Sequence, residues 1–415
     1  MVERITILGG SSVYAPEFLM SVIARNLNVK EICLFGRPGR KLEVVAKFCQ
    51  RLVKKSGFPV QVIPSSNIAE AVTGAKYVIN HVRVGGMQAR MRDEMLPPKL
   101  GMIGDESLGA GGITNALRTI PVVLDQALQV QEANPFCTYI NLTNPMGVVV
   151  EALLRYTKLN VIGACDMPGQ CVRKVAEVLQ QDPEKLKVEY VGLNQIGWIQ
   201  DIKFDGRSRM GHLLELLEER RDEDLDYDLI ELFRMVPTRN AALYYRRAEA
   251  LKRQQVGAAF RSELLHEAEK QILKLYDDPR LNDVPDLTRQ RNAVWYQETI
   301  LPVIDALEGR KESTLILSVR NGQCIRDLPE DCCIEAPALV NPMGVQPRKT
   351  GSLPKFLRGL FISVKESERL IIEAVKHRSY EYALQALVIN PYVPSIDVAK
   401  KFLDRAIKEE KFELH

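Results

Sequence analysis

A thiol and a carboxylic acid stand side by side at Cys165 and Asp166. They directly follow an apolar run, residues 161–164, that is typical of a buried strand. In doubly wound sheets, ligands bind in the crevice at the carboxyl ends of the strands. We therefore expect the pair to face that crevice. Two ordinary roles remain open: a buried thiol for Cys165, and an N-cap for the helix that follows Asp166.

A second group of candidates lies at the start of the chain. Gly9, Gly10, Ser11 and Ser12 follow an apolar strand, residues 4–8, and precede a helical pattern. Glycine lets a backbone approach a pyrophosphate, and the helix then offers free N–H groups to the anion. The turn predicts a dinucleotide site, although it is not a full GxGxxG motif, and an ordinary strand-to-helix turn is the alternative.

The end of the second strand bears on which dinucleotide binds. An acid at this position takes the ribose 2′-hydroxyl of NAD, whereas arginine accommodates the 2′-phosphate of NADP. The chain has Gly36 and Arg37 there, with Arg40 close behind. NADP is therefore favoured over NAD, with Arg37 and Arg40 as its contacts. The alternative is a solvated basic turn.

The elements that position these residues alternate between strand and helix in the first part of the chain. This pattern predicts an α/β fold, a Rossmann-like doubly wound parallel sheet with a second α+β domain. We place the dinucleotide-binding domain at 1–165 and a substrate-binding and oligomerisation domain at 166–415. The expected strands are 4–8, 31–35, 60–63, 77–82, 139–142 and 161–164, and the expected helices are 15–24, 41–54, 114–132 and 148–156.

Helical periodicity dominates the second part. The expected helices are 213–219, 241–276, 287–307, 364–387 and 396–409, and 315–319 and 333–336 are expected as strands of a smaller sheet.

Composition excludes several classes of protein. A net charge of +3 over 415 residues implies no nucleic-acid partner, and no apolar run reaches the length of a membrane span. The first residues run straight into a strand, which leaves no room for a signal peptide. Eight cysteines are too few for a disulfide scaffold. We expect a cytoplasmic protein with reduced thiols, in which His81 and His266 are partly buried and satisfied.

Taken together, these segments resemble glycoside hydrolase family 4, the NAD- and metal-dependent glycosidases. The resemblance runs nearly end to end. Besides the segments above, it is carried by 83–86, Arg90, 93–94, 104–112, 116–118, 141–145, 192–198 and 321–329.

The resemblance implies a redox-assisted elimination, which is an exception among glycosidases. Bound NAD takes hydride from C3 of the sugar, a tyrosine removes the acidified C2 proton, and an acid assists the leaving aglycone. By this resemblance Cys165 matches the cysteine that holds a divalent metal such as Mn²⁺, and Asp166 matches the acid. The positions that line the sugar site are Arg90, Glu106, Asn144 and Arg261. The expected assembly is a homodimer or homotetramer.

Two positions depart from the family pattern. Gln195 stands where the family has the metal-binding histidine, and an amide oxygen is a poor substitute for imidazole toward a borderline metal. We therefore expect weak or absent metal binding at Cys165. Ala241 stands where the family has its base tyrosine, and Tyr244 or Tyr245 is the candidate replacement.

Three functions are compatible with this pattern. The first is a dinucleotide-dependent glycosidase that acts on a small sugar substrate, in which Arg90 and Arg261 suit a phosphate or carboxylate. The second is an NADP-dependent sugar oxidoreductase, because hydride transfer survives the loss of the metal ligand and the base. The third is a catalytically silent homologue. The glycosidase is preferred, since most of the sugar-site segments are present.

Overall fold

The computed structural model describes residues 2–257, 259–291 and 296–415. Six parallel strands form the first part of the sheet, in the spatial order β3-β2-β1-β4-β5-β6. The inner strands β1 and β4 to β6 are largely buried, as both faces of a doubly wound sheet are covered by helices, whereas the edge strand β3 is mostly exposed. The six strands are β1 (Val2–Leu8), β2 (Val29–Phe35), β3 (Gln61–Ser65), β4 (Ala75–Asn80), β5 (Thr138–Asn141) and β6 (Asn160–Gly163).

Helices connect these strands as the alternating pattern predicts. Pro16 lies in the first turn of the first helix, where its fixed φ suits the start and no N–H is needed. The helices are α1 (Ala15–Ala24), α2 (Arg40–Ser56), α3 (Ile68–Val72), α4 (Gly86–Met95), α5 (Gly109–Ala133) and α6 (Met146–Tyr156). The predicted α/β class and its doubly wound parallel sheet are confirmed.

The second part of the chain extends the same sheet instead of building a separate one. In space, the strand next to β6 is β11, which pairs with it in the antiparallel direction at Ser318 and Gly163. The order continues β11-β12-β7-β8-β10, with β9 and β13 attached at its side. The expectation of a separate, smaller sheet is therefore wrong. These strands are β7 (Lys187–Leu193), β8 (Ile196–Phe204), β9 (Arg207–Ser208), β10 (Val236–Pro237), β11 (Ser313–Arg320), β12 (Cys333–Asn341) and β13 (Gly344–Pro347).

The helices of the second part are more broken than the periodicity indicates. The predicted helix 241–276 is three helices, and 287–307 contains a 3₁₀ turn at Asp286–Arg291 and a π-helical turn at Tyr296–Ile300, while 292–295 lie outside the described residues. The helices are α7 (Met167–Val178), α8 (Met210–Glu219), α9 (Tyr227–Phe233), α10 (Arg239–Tyr245), α11 (Arg247–Gln255), α12 (Arg261–Asp277), α13 (Leu301–Leu307), α14 (Lys355–His377), α15 (Tyr380–Ile389) and α16 (Ile396–Glu410).

The later helices fold back over the first part of the chain. Helix α12 packs on α2, where the rings of Phe48 and Tyr276 stack with centroids 4.0 Å apart. Helices α14 to α16 pack against α5, and Glu410 in α16 forms ion pairs with Arg92 and Arg118. The two predicted domains thus share a sheet and two helical layers. Among the helices described, none combines the length and apolar character needed to cross a bilayer.

Candidate functional site

The turn after β1 is held tightly between two neighbouring strands. The amides of Gly9 and Gly10 both donate to the carbonyl of Phe35, at 3.0 and 2.8 Å. A Cβ added to Gly10 would lie 2.6 Å from the Cα of Leu34, and one added to Gly9 would lie 2.5 Å from the carbonyl oxygen of His81. Only glycine fits, so the turn brings bare backbone to the carboxyl edge of the sheet. No side chain caps the start of α1, but the N–H groups of Ala15 and Glu17 donate to the carbonyls of Ser12 and Tyr14, and Pro16 has no N–H, so these positions are not free to bind an anion.

The cations after β2 differ in their surroundings. Arg37 is exposed at the end of the strand. Arg40 is exposed too, but its guanidinium donates to Asp277 of α12 at 2.5 Å. Of the two predicted 2′-phosphate contacts, Arg37 is therefore the better placed, and Arg40 would have to leave an ion pair.

Glu106 is the centre of a buried polar cluster at the same edge. Its carboxylate accepts from Arg83, from Arg90 at 3.0 Å and from the Asn144 side chain at 3.3 Å. Burial alone would raise the pKa of Glu106, but the Arg83 and Arg90 guanidinium groups outweigh it and lower that pKa to about 2. The carboxylate is thus a fixed negative charge. Three predicted sugar-site residues, Arg90, Glu106 and Asn144, come together here.

Arg90 contacts two carboxylates within this cluster. Besides Glu106 it contacts Glu94, one turn along α4, at 2.7 Å. The other oxygen of Glu94 accepts from the backbone N–H of Ser262, which ties the start of α12 to α4. Arg90 therefore orients Glu106 and anchors α12. Direct contact between Arg90 and a substrate stays a prediction.

Two arginines from the second part of the chain lie beside the cluster. Arg261 donates to the backbone carbonyl of Arg291 at 3.1 Å. The guanidinium of Arg291 lies 4.4 Å from the centroid of the Tyr14 ring. Burial, together with the neighbouring positive charge of Arg83, lowers the pKa of Arg291 to about 10. Positive charge thus converges on the space between the glycine turn and Glu106.

Sequence reasoning did not select Arg83 or Arg291 as site residues. Arg83 had a usable signal, because it closely follows β4 and so lies at the carboxyl edge of the sheet. Arg291 had no such signal, because it lies in a 3₁₀ turn far along the chain.

Cys165 and Asp166 lie between β6 and α7, as the sequence predicts. Asp166 occupies the N-cap position, but its side chain makes no capping hydrogen bond. Its carboxylate instead accepts from Gln170 at 2.6 Å and lies 3.9 Å from the Cys165 sulfur. Burial raises the pKa of Asp166 against the opposing charges of Arg173 and Arg261. A carboxyl that retains its proton to higher pH suits a proton donor.

Gln195 meets Cys165 from a tight turn between β7 and β8, where its own φ is +74°. Its amide nitrogen lies 3.8 Å from the Cys165 sulfur, and its amide oxygen accepts from Asn240 at 2.8 Å. Burial and the neighbouring charge of Asp166 raise the pKa of the Cys165 thiol well above its ordinary value. An amide nitrogen that points toward the Cys165 sulfur offers no lone pair to a cation, so Gln195 as it is placed does not fit the role of a metal ligand. In the described ranges, no three His, Cys, Asp or Glu side chains group as a metal site.

The candidate base lies in an aromatic cluster next to this turn. Ala241 is completely buried one residue after Asn240. The ring of Tyr244 packs edge-on against Tyr245 and Tyr392, and Arg247 lies 4.9 Å from its centroid. Tyr244 as the base stays a prediction.

The sheet order and the polar edge define an α/β enzyme with a Rossmann-like core. A malate dehydrogenase from Cryptosporidium parvum has a similar fold, with a TM-score of 0.54 over 91% of this chain and 99% of that one, at 14% identity. At that identity the likeness concerns the fold alone.

The chain belongs to glycoside hydrolase family 4. Residues 4–181 match the family 4 glycosyl hydrolase domain, and residues 190–393 match the family 4 glycosyl hydrolase C-terminal domain. The resemblance inferred from the motifs is confirmed, and the protein is a glycoside hydrolase.

Named relatives and solved structures agree with this assignment. The chain is 32% identical to a probable 6-phospho-beta-glucosidase of Bacillus subtilis, over 98% of this chain and 96% of the relative. It is 29% identical to the 6-phospho-beta-glucosidase of Escherichia coli, over 94% and 92%. The 6-phospho-beta-glucosidase of Thermotoga maritima, solved with NAD and glucose-6-phosphate, superposes with a TM-score of 0.90 at 28% identity, over 99% of this chain and all of the other.

Proposed function

We propose that this enzyme hydrolyses a small phosphorylated glycoside, a 6-phosphoglycoside, with the help of a bound dinucleotide. The observation that carries the proposal is the carboxyl edge of the sheet. There a glycine turn suited to a pyrophosphate, a buried carboxylate and a proton-retaining acid, Asp166, belong to one crevice. The names of the relatives support a phosphorylated glucoside, and the solved structures with NAD support a dinucleotide.

The cofactor site fits a dinucleotide because the Gly9–Gly10 turn admits no side chain. Bound NAD or NADP would supply a transient hydride acceptor for C3 of the sugar, so that the C3 ketone makes the C2 proton acidic, and would return the hydride after water has added to C1 and the proton to C2, which leaves the cofactor unchanged. Asp166 then holds the proton that the leaving aglycone oxygen receives. Glu106, kept ionised by Arg83 and Arg90, accepts hydrogen bonds from sugar hydroxyls and fixes the ring. Tyr244 is the proposed acceptor of the C2 proton.

The phosphate is proposed to bind at two arginines that lie beside the Glu106 cluster. Arg261 and Arg291 approach from the second part of the chain, and their charges act on the Asp166 carboxyl. Arginine suits phosphate because its planar guanidinium makes paired charge-assisted hydrogen bonds. Arg90 contributes through Glu106, because two carboxylates already hold it.

Five finer points complete the proposal. The exposed Arg37 favours NADP over NAD, and a divalent cation such as Mn²⁺ is not expected to bind strongly at Cys165. The chain is proposed to work in the cytoplasm as a homodimer or homotetramer. The division into a dinucleotide-binding part, 1–165, and a substrate-binding part, 166–415, is kept as a functional division, since both parts share the sheet.

An NADP-dependent sugar oxidoreductase is the second candidate. The observation that favours it is the pair of departures, the buried Ala241 and the amide of Gln195, at positions that the elimination steps need. Hydride transfer needs neither position. A catalytically silent homologue is the third candidate, and the intact Asp166 environment argues against it.

One experiment distinguishes the three candidate functions. The protein is incubated with nitrophenyl glycosides and nitrophenyl 6-phosphoglycosides, with NAD or NADP, with and without Mn²⁺, while phenol release and reduced-cofactor absorbance are followed. The proposal expects phenol release from 6-phosphoglycosides without net cofactor reduction. Net reduction by a free sugar, without cleavage, would establish the oxidoreductase, and no turnover of either kind would establish the silent homologue.

A further inference from the structure

A row of side-chain hydrogen bonds connects Gln195 to a buried carboxyl on β12. That carboxyl belongs to Glu335, which is 2% exposed. It accepts from the Tyr190 hydroxyl through one oxygen and from the Asn194 amide nitrogen, at 3.1 Å, through the other. Within the described part of the chain, no cation forms an ion pair with Glu335. A buried carboxyl without a counter-ion is costly, so its position calls for a role.

The carboxyl fixes the orientation of the amides beyond it. In the structure the NH₂ group of Asn194 faces Glu335, which is the orientation that an ionised carboxyl selects because its oxygens only accept hydrogen bonds; burial raises the pKa of Glu335 to about 7, so this selection is strongest above that pH. The Asn194 oxygen then faces Gln195, whose amide nitrogen lies 3.5 Å from it. Asn240 donates to the Gln195 oxygen from the other side at 2.8 Å. Asn194 therefore selects the orientation of Gln195 with its NH₂ group toward Cys165, and the Asn240 donor is compatible with it.

We propose that Glu335 is a positioning residue that acts through Asn194 to hold Gln195 as a hydrogen-bond donor to a sugar oxygen beside Cys165. This inference rests on the proposed function, because the oxygen is a hydroxyl or carbonyl of the glycoside. An oriented N–H group attracts an oxygen that gains negative charge and does not attract a cation. The site thus offers a donor where a cation would otherwise polarise the substrate.

Kinetics test the role of each residue on a nitrophenyl 6-phosphoglycoside. Gln195→Glu removes the donor and is expected to lower kcat by about 10²–10³-fold with KM within about threefold, the usual loss for one such donor. Glu335→Leu is expected to lower kcat about tenfold or more, since Asn194 is then free to turn. Glu335→Gln should restore most of the rate, because its amide oxygen still accepts from Asn194.

Tyr190→Phe is the matched control. It removes the other hydrogen bond to Glu335 and leaves the Asn194 contact in place. Its kcat should match the wild type. An equal loss of kcat in Tyr190→Phe and Glu335→Leu would mean that Glu335 is only structural. A higher rate in Gln195→Glu than in the wild type when Mn²⁺ is present would overturn the donor role.

A measurement independent of hydrolysis follows the Gln195 amide itself. With ¹⁵N-labelled glutamine, its side-chain signal is assigned by its loss in Gln195→Glu. Glu335→Leu should shift that signal, while Tyr190→Phe should not. An unchanged signal in Glu335→Leu overturns the inference whatever the enzyme hydrolyses. A shifted signal in a protein that cleaves no phosphoglycoside upholds the positioning by Glu335 and refutes the proposed function alone.

Discussion

Asp166→Asn tests the proposed general acid most directly. Asparagine keeps the size of the side chain and can still accept from Gln170, so the crevice should remain intact. What is lost is the proton for the departing oxygen. General acid catalysis contributes about 10²–10⁴-fold, which corresponds to roughly 2.7–5.4 kcal/mol of transition-state stabilisation. We expect kcat on a methyl 6-phosphoglycoside to fall by this factor.

The leaving group decides the size of the effect. A nitrophenolate leaves without protonation, so the same variant should lose less than about tenfold on a nitrophenyl 6-phosphoglycoside. The pH profile provides a second reading. Because burial raises the pKa of Asp166, the wild-type rate on the methyl substrate should decline only as pH rises through that raised pKa, and the variant should lack this decline.

The assay follows both substrates under single-turnover and steady-state conditions. Asp182→Asn is the matched control, because it makes the same substitution at an exposed N-cap in the same part of the chain, and it should leave both rates unchanged. Equal losses on the two substrates in Asp166→Asn would refute the acid role and leave Asp166 as a positional residue.

Three further predictions follow from the site. Arg37→Ala should reduce the affinity for NADP by about 10- to 100-fold, the scale of one charge-assisted hydrogen bond, and leave NAD affinity unchanged; titration calorimetry that shows equal affinities in the wild type would contradict this. Chelator treatment should leave the hydrolysis rate of the wild type within about twofold, and loss of that rate on chelation would refute the expectation that no metal is needed. Gln195→His should raise Mn²⁺ affinity in an EPR titration. Burial raises the pKa of Glu17 from 4.5 to about 7, so the folded state holds its proton more tightly and this carboxyl costs stability as pH rises from about 4.5 to about 7. Glu17→Gln should therefore unfold like the wild type at pH 4 and be more stable at pH 8 by on the order of 3 kcal/mol in urea titrations; a stability difference that does not change with pH would contradict the sign.

Local patterns account for the part of the fold that sequence reasoning reached. The six parallel strands and four of the helices between them were predicted from their own apolar patterns, and α1 occupies the predicted residues 15–24, whereas the short α3 and the polar α4 were not predicted. The second part was harder because its strands depend on distant partners. Strand β7 begins in polar residues, and β12 reaches it through Glu335 and Gly192. Nothing near either strand indicates that pairing.

The site, like the fold, has residues that local sequence patterns locate and contacts that they do not. Gly10, Asp166 and Cys165 follow strands directly, so the rule that carboxyl ends face the crevice locates them. Arg90, Glu106 and Asn144 came from motifs, and the structure brings them into contact. The side-chain hydrogen bonds that orient these groups could not be predicted from the sequence, because they join residues that are far apart in the chain. The contact between Asn194 and Glu335 spans 141 positions.

The junction between β6 and β11 has a consequence for how the chain is made. Ser318 pairs with Gly163, so the strand that covers the β6 edge is synthesised 318 − 163 = 155 residues after it. At about 5–20 residues per second, the ribosome needs roughly 10–30 s to supply that strand. Throughout this interval the nascent first half presents an open sheet edge, which is a template for pairing with another chain. Ribosomes that pause within this span should therefore yield nascent chains that depend on chaperones until β11 emerges.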